Sequence, residues 1–326
     1  MFIRSKFFNI GITWFLVLSI SSTLSISARV QDEEDPLGQL KKLESRFDAA
    51  FKAEAYQEGL VIAEEMYGII LSKHVTTLYN IALLNEKLGQ RERAYVWFEQ
   101  AANTSYWHVR FRLRESNDFK EMQKEERFKS IMRGAWLKNY IFMLERPERA
   151  DFQKPLEVMA ALELRPGERV ADLGAGSGYF TIPMARAVGP DGVVWATDLY
   201  QDLLDHIEKR AKEEKLENVR PLKVPKDDPC LPAGGVDTVL MVDAYHYLED
   251  RPAYNKKLKK CLAPGGRVVV IDSIPKPQEE RMPGYPKPHV EISRETLDKE
   301  MAAAGLVPIK VHDFLPEQYF VEYGVN

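Results

Sequence analysis

The chain has 326 residues, room for two domains, and its 45% hydrophobic and 29% charged content is that of an ordinary globular protein with a sizeable core. A formal net charge of -4 provides no basic footprint, which argues against nucleic acid as substrate or partner. The lysines at 256, 257, 259 and 260 read as the wet face of a helix.

Residues 1–28 stand apart from that core. Arg4 and Lys6 precede an apolar run over 7–20, and small and polar residues follow to Ala28, the arrangement of a secretory signal peptide. The run is shorter than the ~20 residues a membrane span needs. Extended to Ile26 it becomes an uncleaved N-terminal anchor, with the positive residues inside and the acidic stretch 32–35 outside. Either reading places the body outside the cytoplasm: exported to the periplasm or secreted, or membrane-anchored.

Residues 29–145 form the next domain. From Leu37 to about Tyr140 apolar residues recur at three- and four-residue spacing with few breakers, which predicts helices throughout. Tyr56-Gln-Glu-Gly59-Leu-Val-Ile-Ala63-Glu matches Arg91-Glu-Arg-Ala94-Tyr-Val-Trp-Phe98-Glu at an offset of 35 residues, close to the ~34 of a tetratricopeptide repeat. Residues 79–102 resemble that repeat: Leu88-Gly89 closes one helix, and Ala94, Phe98 and Ala102 line the next. Such stacks offer a concave face to a protein or peptide partner, and they also serve simply as packing for a neighbouring domain. Residues 146–155, with two prolines and dense charge, mark the linker.

The domain 146–326 opens on residues 169–185, RVADLGAGSGYFTIPMA. Val170, Ala171 and Leu173 suit an interior parallel strand; Gly174, Gly176 and Gly178 let the backbone turn and approach a ligand; Phe180, Ile182, Met184 and Ala185 resume at helical spacing. A dinucleotide fingerprint requires glycine where Tyr179 stands, so a nicotinamide oxidoreductase is disfavoured. Asp198, with Leu199 behind it, ends the next apolar run, where an acidic side chain can accept hydrogen bonds from both ribose hydroxyls of an adenosine ligand. Asp172-x-Gly174-x-Gly176-x-Gly178 with Asp198 resembles motif I and the following acidic residue of the class I S-adenosylmethionine (SAM) methyltransferases (EC 2.1.1.-), of the small-molecule bacterial type.

The resemblance runs from about Leu164 to the C-terminus. It implies a Rossmann-like α/β fold, a seven-stranded doubly wound sheet with an antiparallel last strand, preceded here by the all-α tetratricopeptide-like domain. Strands are expected at 220–224, 236–242, in the run 261–272, and at 307–313 and 318–322; helices at 156–162, 178–188, 201–216, 252–262 and 293–304. It further implies that Asp172, the three glycines, Tyr179, Asp198 and Leu199 hold the cofactor SAM, that Asp227 or Asp228 lies near the adenine amino group, and that Phe152 and Gln153, in a run ending Gln-Lys-Pro, lie over the methionine end. Asp243, ending the fourth strand, belongs to the same set.

Methyl transfer from a sulfonium asks for in-line placement, exclusion of water and, for some acceptors, a base. Asp243-Ala-Tyr245-His246-Tyr247 supplies the candidates: His246 first, since its ordinary pKa near 6.5 suits a base at neutral pH, and Tyr245 second. The absence here of an Asn/Asp-Pro-Pro-Tyr-like turn disfavours nucleic-acid or amide nitrogen as acceptor. A small molecule or lipid-like acceptor is expected. Cys230 follows the third strand and Cys261 precedes the fifth, which predicts that they lie at opposite ends of the sheet, too far apart to bridge. The proline-rich loop 274–290, with Arg281 and His289, is expected to overhang the site, and Gln318 and Tyr319 to line it. No paired His or Cys spacing points to a metal. The competing reading is an exported helical-repeat adaptor whose methyltransferase-like domain is not catalytic.

Overall fold

A computed structural model describes residues 35–275 and 291–326. The segment 1–28 and most of the loop 274–290, with Arg281 and His289, lie outside the described residues. The chain divides into two units at Tyr140/Ile141.

The first unit is helical: α1 (Pro36–Lys52), α2 (Tyr56–Lys87), α3 (Arg91–Thr104), α4 (Tyr106–Glu115) and the greater part of α5 (Glu126–Glu145). Asp35 caps α1, accepting from the Leu37 amide ahead of Pro36. The two repeat-like segments both begin helices, Tyr56 opening α2 and Arg91 opening α3. Between α2 and α3 the backbone turns at Leu88-Gly89, where Gly89 adopts φ +72°. Ala94, Phe98 and Ala102 are fully buried there against Tyr79, Ala82, Phe119 and Phe128. α2 departs from a two-helix repeat by running unbroken for 32 residues. Over 66–75 only Gly68 is a poor helix former and no proline intervenes, so nothing in the local chemistry stops the helix.

The second unit is a seven-stranded sheet in the order β3-β2-β1-β4-β5-β7-β6. Its strands are β1 (Arg169–Leu173), β2 (Val193–Asp198), β3 (Val219–Lys223), β4 (Val236–Val242), β5 (Leu262–Ser273), β6 (Leu306–His312) and β7 (Gln318–Val325). β1 to β5 are parallel and β7 runs antiparallel between β5 and β6, as expected. Short helices α6 (Arg149–Gln153) and α7 (Pro155–Leu162) precede the sheet; α8 (Thr181–Val188), α9 (Gln201–Glu213), α10 (Arg251–Cys261) and α11 (Arg294–Ala303) follow.

Alternation along a strand builds the two faces. Val268 and Val270 of β5 pack with Leu258, Leu297 and Met301 of α10 and α11, while Val269 and Ile271 pack with Val158 and Leu162 of α7 and Ile182 and Met184 of α8. Burial on both sides is why β1 and β4 are almost continuously apolar. Strand ends fall within about a residue of expectation except in β7, which continues to Val325, and α8 starts at Thr181 rather than 178 because residues 176–180 form turns.

The cysteine expectation is corrected. Residues 225–235 lead back from the carboxyl end of β3 to the start of β4, so the Leu231 carbonyl lies 3.6 Å from Cys261 Sγ. Cys230 and Cys261 are thus neighbours in space, and both are free thiols.

Candidate functional site

The parallel strands β1, β2 and β4 end together, and the glycine loop is pinned to those ends. The amides of Gly174 and Ala175 both donate to the Thr197 carbonyl at 2.9 Å. Gly174 has φ +73°, and a Cβ there would stand 2.8 Å from Ala244 Cβ, so only glycine fits this approach of β1 to the segment after β4. Asp198 ties the loop to β2: Oδ2 accepts from the Gly176 amide and Oδ1 from the Tyr200 amide, each at 3.0 Å. Thr181 at the start of α8 donates to Asp172 Oδ2 at 2.6 Å. Ser177 Oγ is buried with no partner among the described residues. Leu199 is 38% exposed beside Asp198.

Three carboxylates are sunk into this region. Burial pushes Asp172 up to about 6, against the Thr181 hydrogen bond that favours its ionised form. Burial also raises Asp198, against the amides that it accepts, and raises Asp243 with help from the charge of Asp272. The sign follows: the folded Asp172 holds its proton to higher pH than the unfolded chain does, so stability falls as pH rises from about 4 to about 6. The wild-type protein without ligand is therefore expected to gain about 1–2 kcal/mol relative to Asp172→Asn between pH 7 and pH 5. Urea denaturation at the two pH values checks it, and an unchanged difference contradicts it.

A strap formed by α6 lies over the same strand ends. Gln153 is fully buried and donates through Nε2 to Asp243 Oδ2 at 3.3 Å and to Gln318 Oε1 at 3.1 Å, while Gln318 Nε2 donates to Asp243 Oδ1 at 2.7 Å. Arg149, one helical turn before Gln153, donates to Gln153 Oε1 and to the Leu144 carbonyl. Its guanidinium sits 4.1 Å from the centre of the Tyr179 ring. Burial lowers its pKa, and the charges of Asp243 and Asp172 oppose that. Gln153, Asp243 and Tyr179 thus meet, as the sequence suggested, together with Arg149, which it did not single out.

Just past Asp243, a single 3-10 turn (Tyr245–Tyr247) sends neighbouring side chains to different places. Tyr245 turns into the core: it is fully buried, donates from its hydroxyl to Glu300 Oε2 at 2.8 Å and accepts from Asn255 Nδ2 at 2.8 Å. Arg251 closes that network on Glu300. Tyr245 is therefore a packing residue of the α10 and α11 layer, and its catalytic assignment is withdrawn. His246 turns toward the end of β5, where Nδ1 lies 2.8 and 3.0 Å from the two oxygens of Asp272. Asp227 and Asp228 follow β3. Both carboxylates lie near Lys257 of α10, at 3.4 and 3.1 Å, and Asp228 caps the amide of Cys230.

Residues 171–268 match the family model described as a methyltransferase domain. This stretch of the second unit is similar to methyltransferase domains. Its curated relatives include nocamycin O-methyltransferase of Saccharothrix syringae, 29% identical over 39% of this chain and 46% of the relative. Demethylmenaquinone methyltransferase of Geobacillus sp. (strain WCH70) is 26% identical over 36% and 50%. The ubiquinone/menaquinone biosynthesis C-methyltransferase of Burkholderia vietnamiensis is 30% identical over 35% and 46%. The chain thus spans about half the length of the relatives it matches. A SAM-dependent methyltransferase of Aquifex aeolicus shares the fold, at 23% identity and TM-score 0.51 over 56% of this chain and 95% of that one.

SAM is the cofactor that this likeness implies, and the residues present fit it. The loop carries no side chain of its own at 174, 176 and 178, and Ser177 Oγ within it is a buried polar atom without a partner among the described residues. Asp198 would hold the ribose hydroxyls; Asp172 and Asp243 suit the cationic side of the amino-acid portion, and Arg149 its carboxylate.

Proposed function

We propose that this protein transfers the methyl group of SAM to a small-molecule or lipid-like acceptor. The observation that carries the reading is the placement of His246 three residues beyond Asp243, so that one strand end supplies both the cofactor cradle and a base. The names of the relatives support it, since each describes a methyltransferase, one naming nocamycin, one demethylmenaquinone and one ubiquinone/menaquinone biosynthesis.

Bound SAM supplies an electrophilic methyl group on a sulfonium. The chain's own work is to seat that group at the ends of β1, β2 and β4, to keep water away with the buried strap of Gln153 and Gln318, and to receive the acceptor's proton at His246. The first unit in this reading is a tetratricopeptide-like helical domain that offers a face to a protein or peptide. The supporting feature is the pair of matched segments that open α2 and α3. Residues 1–28 direct export, which the basic residues and apolar run of that segment support; whether the segment is removed is read directly by N-terminal sequencing of the exported protein.

The test of the enzyme reading is calorimetric titration of SAM and of S-adenosylhomocysteine into the folded protein. Binding of both in the micromolar range is the expected result. Folded protein that binds neither would sink the enzyme and move the reading to a non-catalytic adaptor.

A further inference from the structure

We propose that Asp272 is a positioning residue that fixes His246 as the Nδ1–H tautomer, making Nε2 the base, and that the acceptor atom is the oxygen of a neutral hydroxyl group. This rests on the methyltransferase reading and narrows it.

The geometry starts at the ends of two neighbouring strands. β4 and β5 are parallel, with Val242 opposite Ile271, so the turn after β4 lies beside Asp272. Asp272 is buried, and its carboxylate accepts from three donors: His246 Nδ1, the His246 amide at 3.2 Å and the Ser273 amide at 2.8 Å. Two of those three belong to His246, so the same carboxylate holds both the backbone and the ring of that residue. A carboxylate only accepts, so the proton on this edge of the ring sits on Nδ1. In the neutral imidazole the lone pair then belongs to Nε2.

A base held in this way matters only for an acceptor that carries a proton it does not lose unaided. A neutral amine already presents a lone pair, and a carboxylate or phosphate is already ionised; a hydroxyl needs the base. The local charge agrees. The charge of Asp272 helps to raise Asp243, and the nearby guanidiniums of Arg251 and Arg294 are neutralised by Glu300 and Asp298, so an anionic acceptor would be repelled. Tyr319, directly across the β5–β7 ladder from Asp272, shares its face of the sheet and has a buried hydroxyl with no hydrogen-bond partner among the described residues. That hydroxyl is a donor suited to an oxygen acceptor.

In the step, the acceptor oxygen gives its proton to His246 Nε2 and forms the new C–O bond to the methyl carbon. The C–S bond breaks with its electron pair left on sulfur. One positive charge disappears from sulfur and one appears on the imidazole, against the Asp272 carboxylate.

The test is nitrogen NMR of protein carrying 15N-labelled histidine, with the His246 signals assigned by their loss in His246→Gln. At neutral pH the wild-type ring is expected to show a protonated Nδ1 and an unprotonated Nε2, and Asp272→Ala is expected to lose that bias while its SAM affinity stays within about threefold by calorimetry. A protonated Nε2 in the wild type, which needs no variant, overturns the positioning role. With S-adenosylhomocysteine bound, phenol is expected to shift the Nε2 signal and benzoate to leave it in place; equal shifts, or none with phenol, overturn the hydroxyl assignment. Loss of SAM binding by the wild type would instead strike the underlying methyltransferase reading, so the two failures are separable.

Discussion

Asp198→Ala is expected to weaken SAM binding at least about 100-fold, read as Kd by calorimetry. In the free protein each oxygen of Asp198 already accepts one backbone amide, from Gly176 and from Tyr200. In the proposed reading the side chain has two jobs: it holds the glycine loop against the end of β2, and it would offer its remaining lone pairs to the ribose. Charge-assisted hydrogen bonds are worth about 1.5–3 kcal/mol each, so losing two toward the ligand costs on the order of 3 kcal/mol before any loosening of the loop. Asp198→Asn keeps the shape and one acceptor oxygen, and about a tenfold loss is expected for it. Because burial already disfavours the ionised Asp198, the alanine variant should remain folded, and a thermal melt verifies this. A Kd within threefold of wild type would show that the cofactor does not lean on this carboxylate.

The second large effect is on stability and lies away from the cradle. Glu322, fully buried in the middle of β7, accepts from Arg267 Nη1 at 2.9 Å and from His312 Nε2 at 2.7 Å. Arg267 also donates to Thr238 Oγ1 at 3.2 Å and to the Leu162 carbonyl. One carboxylate thereby anchors a network spanning β4, β5, β6, β7 and the end of α7. Glu322→Ala leaves the guanidinium beside a cavity without its counter-charge, and a loss of about 3–5 kcal/mol is expected in urea denaturation of the second unit. Glu322→Gln, which keeps an acceptor of the same size, should lose clearly less. A loss under about 1 kcal/mol for the alanine variant would mean that Arg267 regains water at this side of the sheet.

Much of the cradle was legible in the sequence because local backbone chemistry dictates it. Gly174, Gly176 and Gly178 all take positive φ, a requirement that only glycine meets cheaply, and Asp198 is recognisable as the residue that ends an apolar strand. Strand and helix placement followed from apolar runs and periodicity for the same local reason. The failures share a different cause. Tyr245 and His246 are adjacent and both bear protons, and nothing local says that one enters the core beneath α11 while the other meets Asp272. The turn after β4 decides that, and so do partners 55 and 26 residues away. That Asp227 and Asp228 both meet Lys257 is likewise set by the path of the loop after β3. That same path brought the two cysteines together.

Arg149 is the plainest case of a residue that sequence reading passes over. In the linker it is one charge among several, and its meaning comes from Tyr179, Asp172 and Asp243, which the fold collects around it. The sequence by itself determined the sheet, the glycine turn and the acidic strand end, since strand burial and φ preference act over a few residues. Only the tertiary structure decided which carboxylate His246 Nδ1 meets, which tyrosine is packing and which arginine is buried among carboxylates. Those properties are set by desolvation and by hydrogen-bond partners, and both are defined by neighbours that are distant along the chain.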